Sequence, residues 1–264
     1  MKTIELKKVE HTVKIGDKCP YIEPNVTEDC LFVEGDEVVG FYISEMPKKM
    51  CELANLANAE FRSKNVPKSE MSRGPQGNKK QKAERAKNGV ELVTQFSTIL
   101  GGVPPKPHMR RPYPTVSSVH SVKTAKNFIK AMLLLAKESE KLIKEVTPEQ
   151  YDKQKELLDQ VPDQYKFANL FTSSISNFNI SAQFHRDTGN IVGASNVIIC
   201  KKNNSKGGDL NIPDYGATIG QKDNSILVYP AWRNIHGVTP ITPTHEGGYR
   251  NSLVFYPLNA FCNL

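Results

Sequence analysis

Residues 181–190 read SAQFHRDTGN and place His185 two positions before Asp187. Successive side chains of an extended strand point to opposite faces, so residues two apart project from the same face. His185 and Asp187 can therefore reach one metal ion. The pattern H-x-D is weak when it stands alone, and a polar turn between two strands is the alternative interpretation.

A third metal ligand is predicted at His236, which lies 49 residues after Asp187 in the segment YPAWRNIHGVTPI. This histidine follows the apolar run SILVY, which is typical of a buried strand. Two imidazoles and one carboxylate occupy one face of an octahedron and leave the opposite face open, as in mononuclear non-haem iron sites. His185, Asp187 and His236 are therefore candidate ligands of Fe(II).

An arginine stands fourteen residues after His236, in the apolar segment GGYRNSLVFYPL. A buried guanidinium needs an anionic partner, because burying an unpaired charge is costly. A dicarboxylate that chelates iron through a keto-acid end would present its far carboxylate to Arg250, with the hydroxyl of Ser252 as a second donor. The alternative is an ion pair between Arg250 and a carboxylate of the protein.

The pattern along the chain predicts an α+β fold, in which a jelly-roll core is covered by helices. Short β-rich runs separated by turn clusters dominate after Pro162 and indicate a jelly roll. Two further strands are predicted in the first 45 residues, at LFVEG and VVGFYI. Periodic apolar residues and helix start signals predict four helices, at residues 46–63, 81–100, 121–146 and 147–161, the last with Thr147 as its N-cap. We expect residues 1–165 to form a helix-rich supporting part and residues 166–264 the jelly-roll core of a single domain 1–264.

The net charge of +7 is unevenly distributed along the chain. Residues 62–87 contain nine Lys or Arg and two acidic residues. Such a segment attracts polyanions, although a solvated surface loop is an equally good interpretation. The sequence has no membrane-span pattern and no signal-peptide pattern, so we expect a cytoplasmic protein without membrane contacts. The five scattered cysteines are expected to be free thiols.

Taken together, these motifs resemble the Fe(II) and 2-oxoglutarate dependent dioxygenases, and more narrowly the TET and JBP group, which oxidises the 5-methyl group of pyrimidine bases in DNA. Four segments carry the resemblance: HRDTGN, NSKGGDLNIPDYG, NIHGVTPI and YRNSLVFY. They cover about the last hundred residues, and the compact length is similar to that of bacteriophage members. The resemblance implies a double-stranded β-helix (jelly-roll) core buttressed by the N-terminal and central helices.

The resemblance also implies roles for individual residues. His185, Asp187 and His236 match the iron ligands, and Arg250 and Ser252 match the 2-oxoglutarate contacts. Asn190 stands where the family hydrogen-bonds the target cytosine, and Tyr256 where it stacks on the flipped base. Leu258 departs from the pattern, since TET proteins have a histidine there, and this departure bears on the choice of base.

The implied reaction is hydroxylation of 5-methylcytosine in a methylated DNA duplex, with 2-oxoglutarate and O2 as cosubstrates and ascorbate as an aid in vitro. The protein is expected to act as a monomer, with the target base flipped out. Candidate phosphate contacts are Arg73, Lys79, Lys80, Lys82, Arg110 and Arg111, and either of the last two is also a candidate 2-oxoglutarate contact. The alternatives are thymine oxidation of the JBP type, a related oxygenase with another substrate, and a DNA-binding jelly roll with a vestigial metal site.

Overall fold

The computed structural model describes residues 1–70, 95–107, 110–262 and 264. The helices in these ranges are α1 (Lys48–Arg62), α2 (Lys126–Val146) and α3 (Pro148–Leu158). The first strands are β1 (Lys2–Glu5), β2 (Cys30–Glu34), β3 (Glu37–Ile43), β4 (Ser69–Glu70), β5 (Phe96–Val103) and β6 (Thr115–Val116). The later strands are β7 (Ser173–Phe178), β8 (Ala182–His185), β9 (Asn196–Asn203), β10 (Ser205–Lys206), β11 (Leu210–Ile212), β12 (Ala217–Ile219), β13 (Ile226–Tyr229), β14 (His236–Val238), β15 (Thr242–Pro243) and β16 (Tyr249–Tyr256).

The strands form one large and one small sheet, together with the short pair β10 and β15. The large sheet has the order β1-β2-β3-β13-β9-β16-β7-β5-β4, with β6 paired to β5. The small sheet has the order β12-β11-β14-β8. All neighbours are antiparallel except β1 and β2. This architecture is the α+β jelly roll expected from the sequence.

The large sheet is covered on both faces, and strand β13 shows how. Ile226 and Val228 pack among the buried residues of α1 and α2, whereas Leu227 and Tyr229 pack against the small sheet. Because neighbouring side chains of a strand point to opposite faces, a strand that is buried on both sides contains consecutive apolar residues. The run ILVY is therefore wholly buried in the middle of the molecule.

Helices α1 and α2 form the layer on the outer face of the large sheet. Their contact includes Phe61 and Phe128, whose ring centroids are 5.7 Å apart. The predicted helices 46–63 and 121–146 are confirmed, although 3-10 turns replace the α-helix before Lys126. The first helix is predicted from the three- and four-residue spacings of Met50, Leu53, Leu56 and Ala57. This apolar stripe is wrong at one position, since Leu56 is 45% exposed.

Two other sequence predictions differ from the structure. The helix predicted at 81–100 is wrong for residues 96–100, which belong to strand β5. This segment pairs with β7, so sheet pairing outweighs its helical pattern. Residues 81–94 of this prediction lie outside the described ranges. Thr147 precedes α3 as predicted, but its hydroxyl donates to the carbonyl of Ile143 and does not cap the helix.

No helix within the described ranges is long and apolar enough to cross a membrane.

Glu140 joins the helical layer to the segment that precedes β7. Its buried carboxylate accepts hydrogen bonds from the backbone N–H of Leu170 (2.7 Å) and the side-chain amide of Asn169 (2.8 Å). Burial raises the pKa of Glu140, and these hydrogen bonds oppose the shift. The carboxylate thus fixes the entry of the chain into β7, which lines the functional site described below.

We expect Glu140→Ala to lower the free energy of unfolding by about 3 kcal/mol, because it leaves several buried donors unpaired. Chemical denaturation of both proteins measures this difference. The matched control is Glu138→Ala on the same helix, which removes only exposed ion pairs with Lys49 and Lys141 and should cost less than about 1 kcal/mol. Equal losses for the two variants would contradict an anchoring role for Glu140.

Candidate metal centre and active site

Three candidate metal ligands meet where the small sheet faces the large one. His185 ends β8 and His236 begins β14, and the two histidines are direct cross-strand partners with ring centroids 4.4 Å apart. Asp187 follows β8, and its Oδ1 lies 3.5 Å from Nε2 of His185. One ligand atom from each of the three residues lies within 4.8 Å of the other two. The segment that follows β8 thus brings Asp187 together with both histidines, as a single metal site requires.

Both imidazoles are oriented by the backbone two residues earlier. The Nδ1 of His185 lies 2.7 Å from the carbonyl oxygen of Gln183, and the Nδ1 of His236 lies 3.1 Å from that of Asn234. A carbonyl oxygen only accepts, so Nδ1 carries the hydrogen in each ring, which leaves Nε2 as the nitrogen that can bind a metal ion. Burial lowers the pKa of His236, which favours the neutral ring that metal binding requires.

The Asp187 carboxylate is held by a chain of two buried asparagines. The side-chain nitrogen of Asn196 donates to Oδ2 of Asp187 at 3.1 Å, and the side-chain nitrogen of Asn190 donates to Oδ1 of Asn196 at 2.8 Å. A carboxylate only accepts, so it fixes the orientation of the Asn196 amide, which in turn fixes that of Asn190. Asn190 consequently keeps its own Oδ1 as a remaining acceptor.

The donor set fits Fe(II). Two neutral imidazole nitrogens and one carboxylate oxygen are the ligands of the facial arrangement that leaves open positions for further ligands. Hydrogen bonds from each ligand to a second residue are also typical of such sites, since they fix ring orientation and carboxylate position. All three residues line a cavity of about 350 Å³ between the two sheets.

Strand β16 supplies the opposite wall of this cavity through every second residue. The even-numbered positions Arg250, Ser252, Val254 and Tyr256 line the cavity, whereas Leu253 and Phe255 pack into the helical layer. Arg250 and Ser252 are each 3% exposed. Within the described ranges no carboxylate of the protein forms an ion pair with Arg250, and its Nε has no hydrogen-bond partner. The alternative of an internal ion pair is therefore not found there.

The candidate base-contacting residues lie at one end of the same cavity. Asn190 and Tyr256 both line it, and Leu258 lies beside Asn190 through a backbone bridge. Burial is the main cause that raises the pKa of Tyr256. The structure thus places these residues in one cavity with the metal ligands and Arg250.

Of the candidate phosphate contacts, the structure describes only Arg110 and Arg111. Arg73, Lys79, Lys80 and Lys82 lie outside the described residues. Arg110 is exposed, and Arg111 donates to the carbonyl of Pro104 at 3.0 Å. Neither arginine lines the cavity, so the structure does not support a 2-oxoglutarate contact from Arg110 or Arg111.

Sequence reasoning missed two buried polar residues of the cavity, Asn196 and Gln221. Asn196 is the first residue of β9, in the apolar run NVIIC. Side chains of a strand point alternately to its two faces, so Asn196 and Ile198 both line the cavity. Gln221 lies in a turn after β12, and no sequence pattern marks it.

Comparisons with known proteins agree with this arrangement. The family model for the oxygenase domain of the 2OGFeDO superfamily (Tet_JBP) matches residues 105–259. None of the curated protein sequences matches significantly.

Solved structures similar to this chain include NgTET1 in complex with 5mC DNA, with a TM-score of 0.60, 16% identity, and coverage of 97% of this chain and 85% of that one. An oxidoreductase of the 2OG-Fe(II) oxygenase family from Burkholderia pseudomallei gives a TM-score of 0.38, 12% identity and coverage of 80% and 92%. A full-length Neurospora crassa protein in complex with alpha-KG gives 0.40, 14% identity and coverage of 83% and 75%.

The family match spans more than half of the chain and includes every cavity residue discussed above. The fold of the chain is similar to that of NgTET1. The chain belongs to the TET/JBP family of 2-oxoglutarate and Fe(II) dependent dioxygenases.

Proposed function

We propose that this dioxygenase hydroxylates the 5-methyl group of 5-methylcytosine in DNA. One oxygen atom of O2 enters the methyl C–H bond to give 5-hydroxymethylcytosine, and the other enters succinate as 2-oxoglutarate loses CO2. His185, Asp187 and His236 hold Fe(II), which together with 2-oxoglutarate supplies the oxidant that an unactivated methyl group requires. Arg250 and Ser252 bind the far carboxylate of 2-oxoglutarate.

The orientation of the Asn190 amide is the observation that favours cytosine. One N–H of its amide donates to Asn196, which leaves the amide oxygen as an acceptor, and one further N–H, for a base in the cavity. Cytosine carries an exocyclic amino group, which donates, where thymine carries a carbonyl, which accepts. An acceptor at Asn190 therefore matches 5-methylcytosine.

The target methyl group lies within the duplex stack, so the base has to be flipped into the cavity. Tyr256 provides a half-buried aromatic ring for stacking there. Leu258 favours a second candidate, thymine oxidation of the JBP type, because it replaces a histidine that contacts cytosine in TET proteins. An apolar residue at this position cannot replace that hydrogen bond, so Asn190 carries more of the selectivity.

DNA as the polymer is supported by charge and by likeness. The segment 62–87 is strongly basic, and the structurally similar NgTET1 was solved with 5mC DNA. Arg73, Lys79, Lys80, Lys82, Arg110 and Arg111 are the proposed phosphate contacts, which position the duplex without reading its sequence. The protein acts as a monomer, with ascorbate keeping the iron reduced in vitro.

The deciding experiment is nucleoside mass analysis after incubation with Fe(II), ascorbate, 2-oxoglutarate and two duplexes, one with 5-methylcytosine and one with thymine as its only methylated base. We expect the 5-methylcytosine nucleoside to gain the mass of one oxygen atom. A gain on thymine alone would transfer the assignment to the JBP branch. Succinate formation without either product would mean that the substrate is different.

The matched control for this assay is His185→Ala, which removes one metal ligand from a half-buried position. We expect product formation to fall below detection while the circular dichroism spectrum and the thermal transition stay close to those of the unaltered protein. Turnover at the original rate in this variant would exclude His185 as an iron ligand.

Asn196→Leu tests the asparagine chain. The Asn190 amide should lose its fixed orientation, and the ratio of 5-methylcytosine to thymine hydroxylation should fall about tenfold, equivalent to about 1.4 kcal/mol. Competition between the two duplexes in one reaction measures this ratio directly.

Asn251→Leu is the control for the loss of a buried asparagine. Asn251 lies on the helix-facing side of β16 and donates to Asn58 at 3.0 Å, so this variant should keep the original ratio of products. If Asn196→Leu lowered both rates in proportion, Asn196 would support only the iron ligand and the base argument would fail.

A further inference from the structure

Among the described residues, only two that line the cavity have buried polar side-chain atoms without a hydrogen-bond partner, namely Gln221 and Arg250. Gln221 is 1% exposed, and neither its amide nitrogen nor its amide oxygen is paired. The Nε of Arg250 is also unpaired. Buried polar atoms in folded proteins are nearly always paired, so an unpaired group that faces a cavity indicates that a ligand or water completes it.

The backbone of Gln221 is held by Lys202 and by the loop 207–209, which joins β10 to β11. Oδ1 of Asp209 accepts the backbone N–H of Gln221 at 2.8 Å. Nζ of Lys202 donates to the carbonyl of Gln221 at 3.2 Å and to that of Gly207 at 2.7 Å. The backbone N–H and C=O of Gln221 are thus both fixed, while the amide nitrogen and oxygen of this cavity-lining residue have no partner among the described residues.

The loop 207–209 also lies against Arg250, which brings Gln221 close to this arginine. Gly208 has a φ of +75°, and a Cβ at this position would lie 3.1 Å from Cδ and Nε of Arg250. The thiol of Cys200 donates to the carbonyl of Gln221 at 3.5 Å, and the Arg250 guanidinium opposes the burial that raises the pKa of this thiol. Cys200 therefore lies between the two residues, and they belong to the same end of the cavity.

We propose that Gln221 binds the far carboxylate of 2-oxoglutarate together with Arg250. Its amide N–H groups and the Nε–H of Arg250 are donors with no acceptor among the described residues, and a carboxylate offers two oxygen atoms with several acceptor positions. The amide oxygen matches the remaining N–H donors of the guanidinium. This inference rests on the role of Arg250 in the proposed function and adds a residue that confers selectivity for a dicarboxylate.

The test is an anaerobic titration of the Fe(II)-loaded protein with 2-oxoglutarate and, separately, with pyruvate. Pyruvate has the same keto-acid end but lacks the far carboxylate. Calorimetry gives the dissociation constants, and the visible charge-transfer absorption of a 2-oxo acid bound to Fe(II) reports chelation without any turnover.

We expect Gln221→Leu to weaken 2-oxoglutarate binding about tenfold and Gln221→Glu about a hundredfold, because the second change places an anion beside the carboxylate. Pyruvate binding should not change in Gln221→Leu. The matched control is Gln150→Leu in α3. Gln150 also has a buried amide oxygen without a partner, but it lies outside the cavity. The Gln150→Leu protein should bind 2-oxoglutarate like the unaltered protein.

An unchanged 2-oxoglutarate affinity in Gln221→Leu would overturn the inference and leave only a buried water at this position. Equal weakening for 2-oxoglutarate and pyruvate would also overturn it, since the effect would then not concern the far carboxylate. Failure of the unaltered protein to bind 2-oxoglutarate would overturn the proposed function as well. An unchanged affinity in Gln221→Leu would overturn only the role of Gln221, so the two failures are distinguishable.

Discussion

The alternation of side chains along strands that are buried on both faces is the constraint on which the site depends. In β16 the odd-numbered residues Leu253 and Phe255 pack against the helices, and the even-numbered residues from Arg250 to Tyr256 line the cavity. A shift of register by one residue would place Arg250 in the apolar layer and phenylalanine in the cavity. The extensive helical core on the outer face therefore determines which residues of β16 can serve the chemistry.

The iron centre and the proposed base site are connected by hydrogen bonds with a single direction. Asp187 can only accept, so the amides of Asn196 and then Asn190 are oriented in turn. A hydrogen-bonded path therefore joins the candidate metal ligand Asp187 to the part of the cavity that Asn190 lines.

The loop that contains Gly207, Gly208 and Asp209 positions residues at the other end of the cavity. Gly208 leaves room for the Arg250 side chain, and Asp209 holds the backbone of Gln221. Positive φ angles at both glycines allow this close approach, which a side chain would block. The two glycines therefore shape the end of the cavity at which Arg250 lies, although neither has a side chain that could contact a ligand.

The sequence by itself determined the metal-ligand candidates, the β-rich character of the chain after Pro162 and the α+β class, because H-x-D spacing and short β-rich runs between turn clusters are local patterns. It also predicted that His236 would return beside His185, and the cross-strand pairing of β8 and β14 confirms this. Only the tertiary structure decided that residues 96–100 form a strand, since pairing with β7 is a long-range interaction. The positions of Asn196 and Gln221 in the cavity were likewise decided only by the tertiary structure. Their hydrogen-bond partners Asp187 and Asp209 lie 9 and 12 residues away in sequence. No local pattern encodes a hydrogen bond across a turn or between strands.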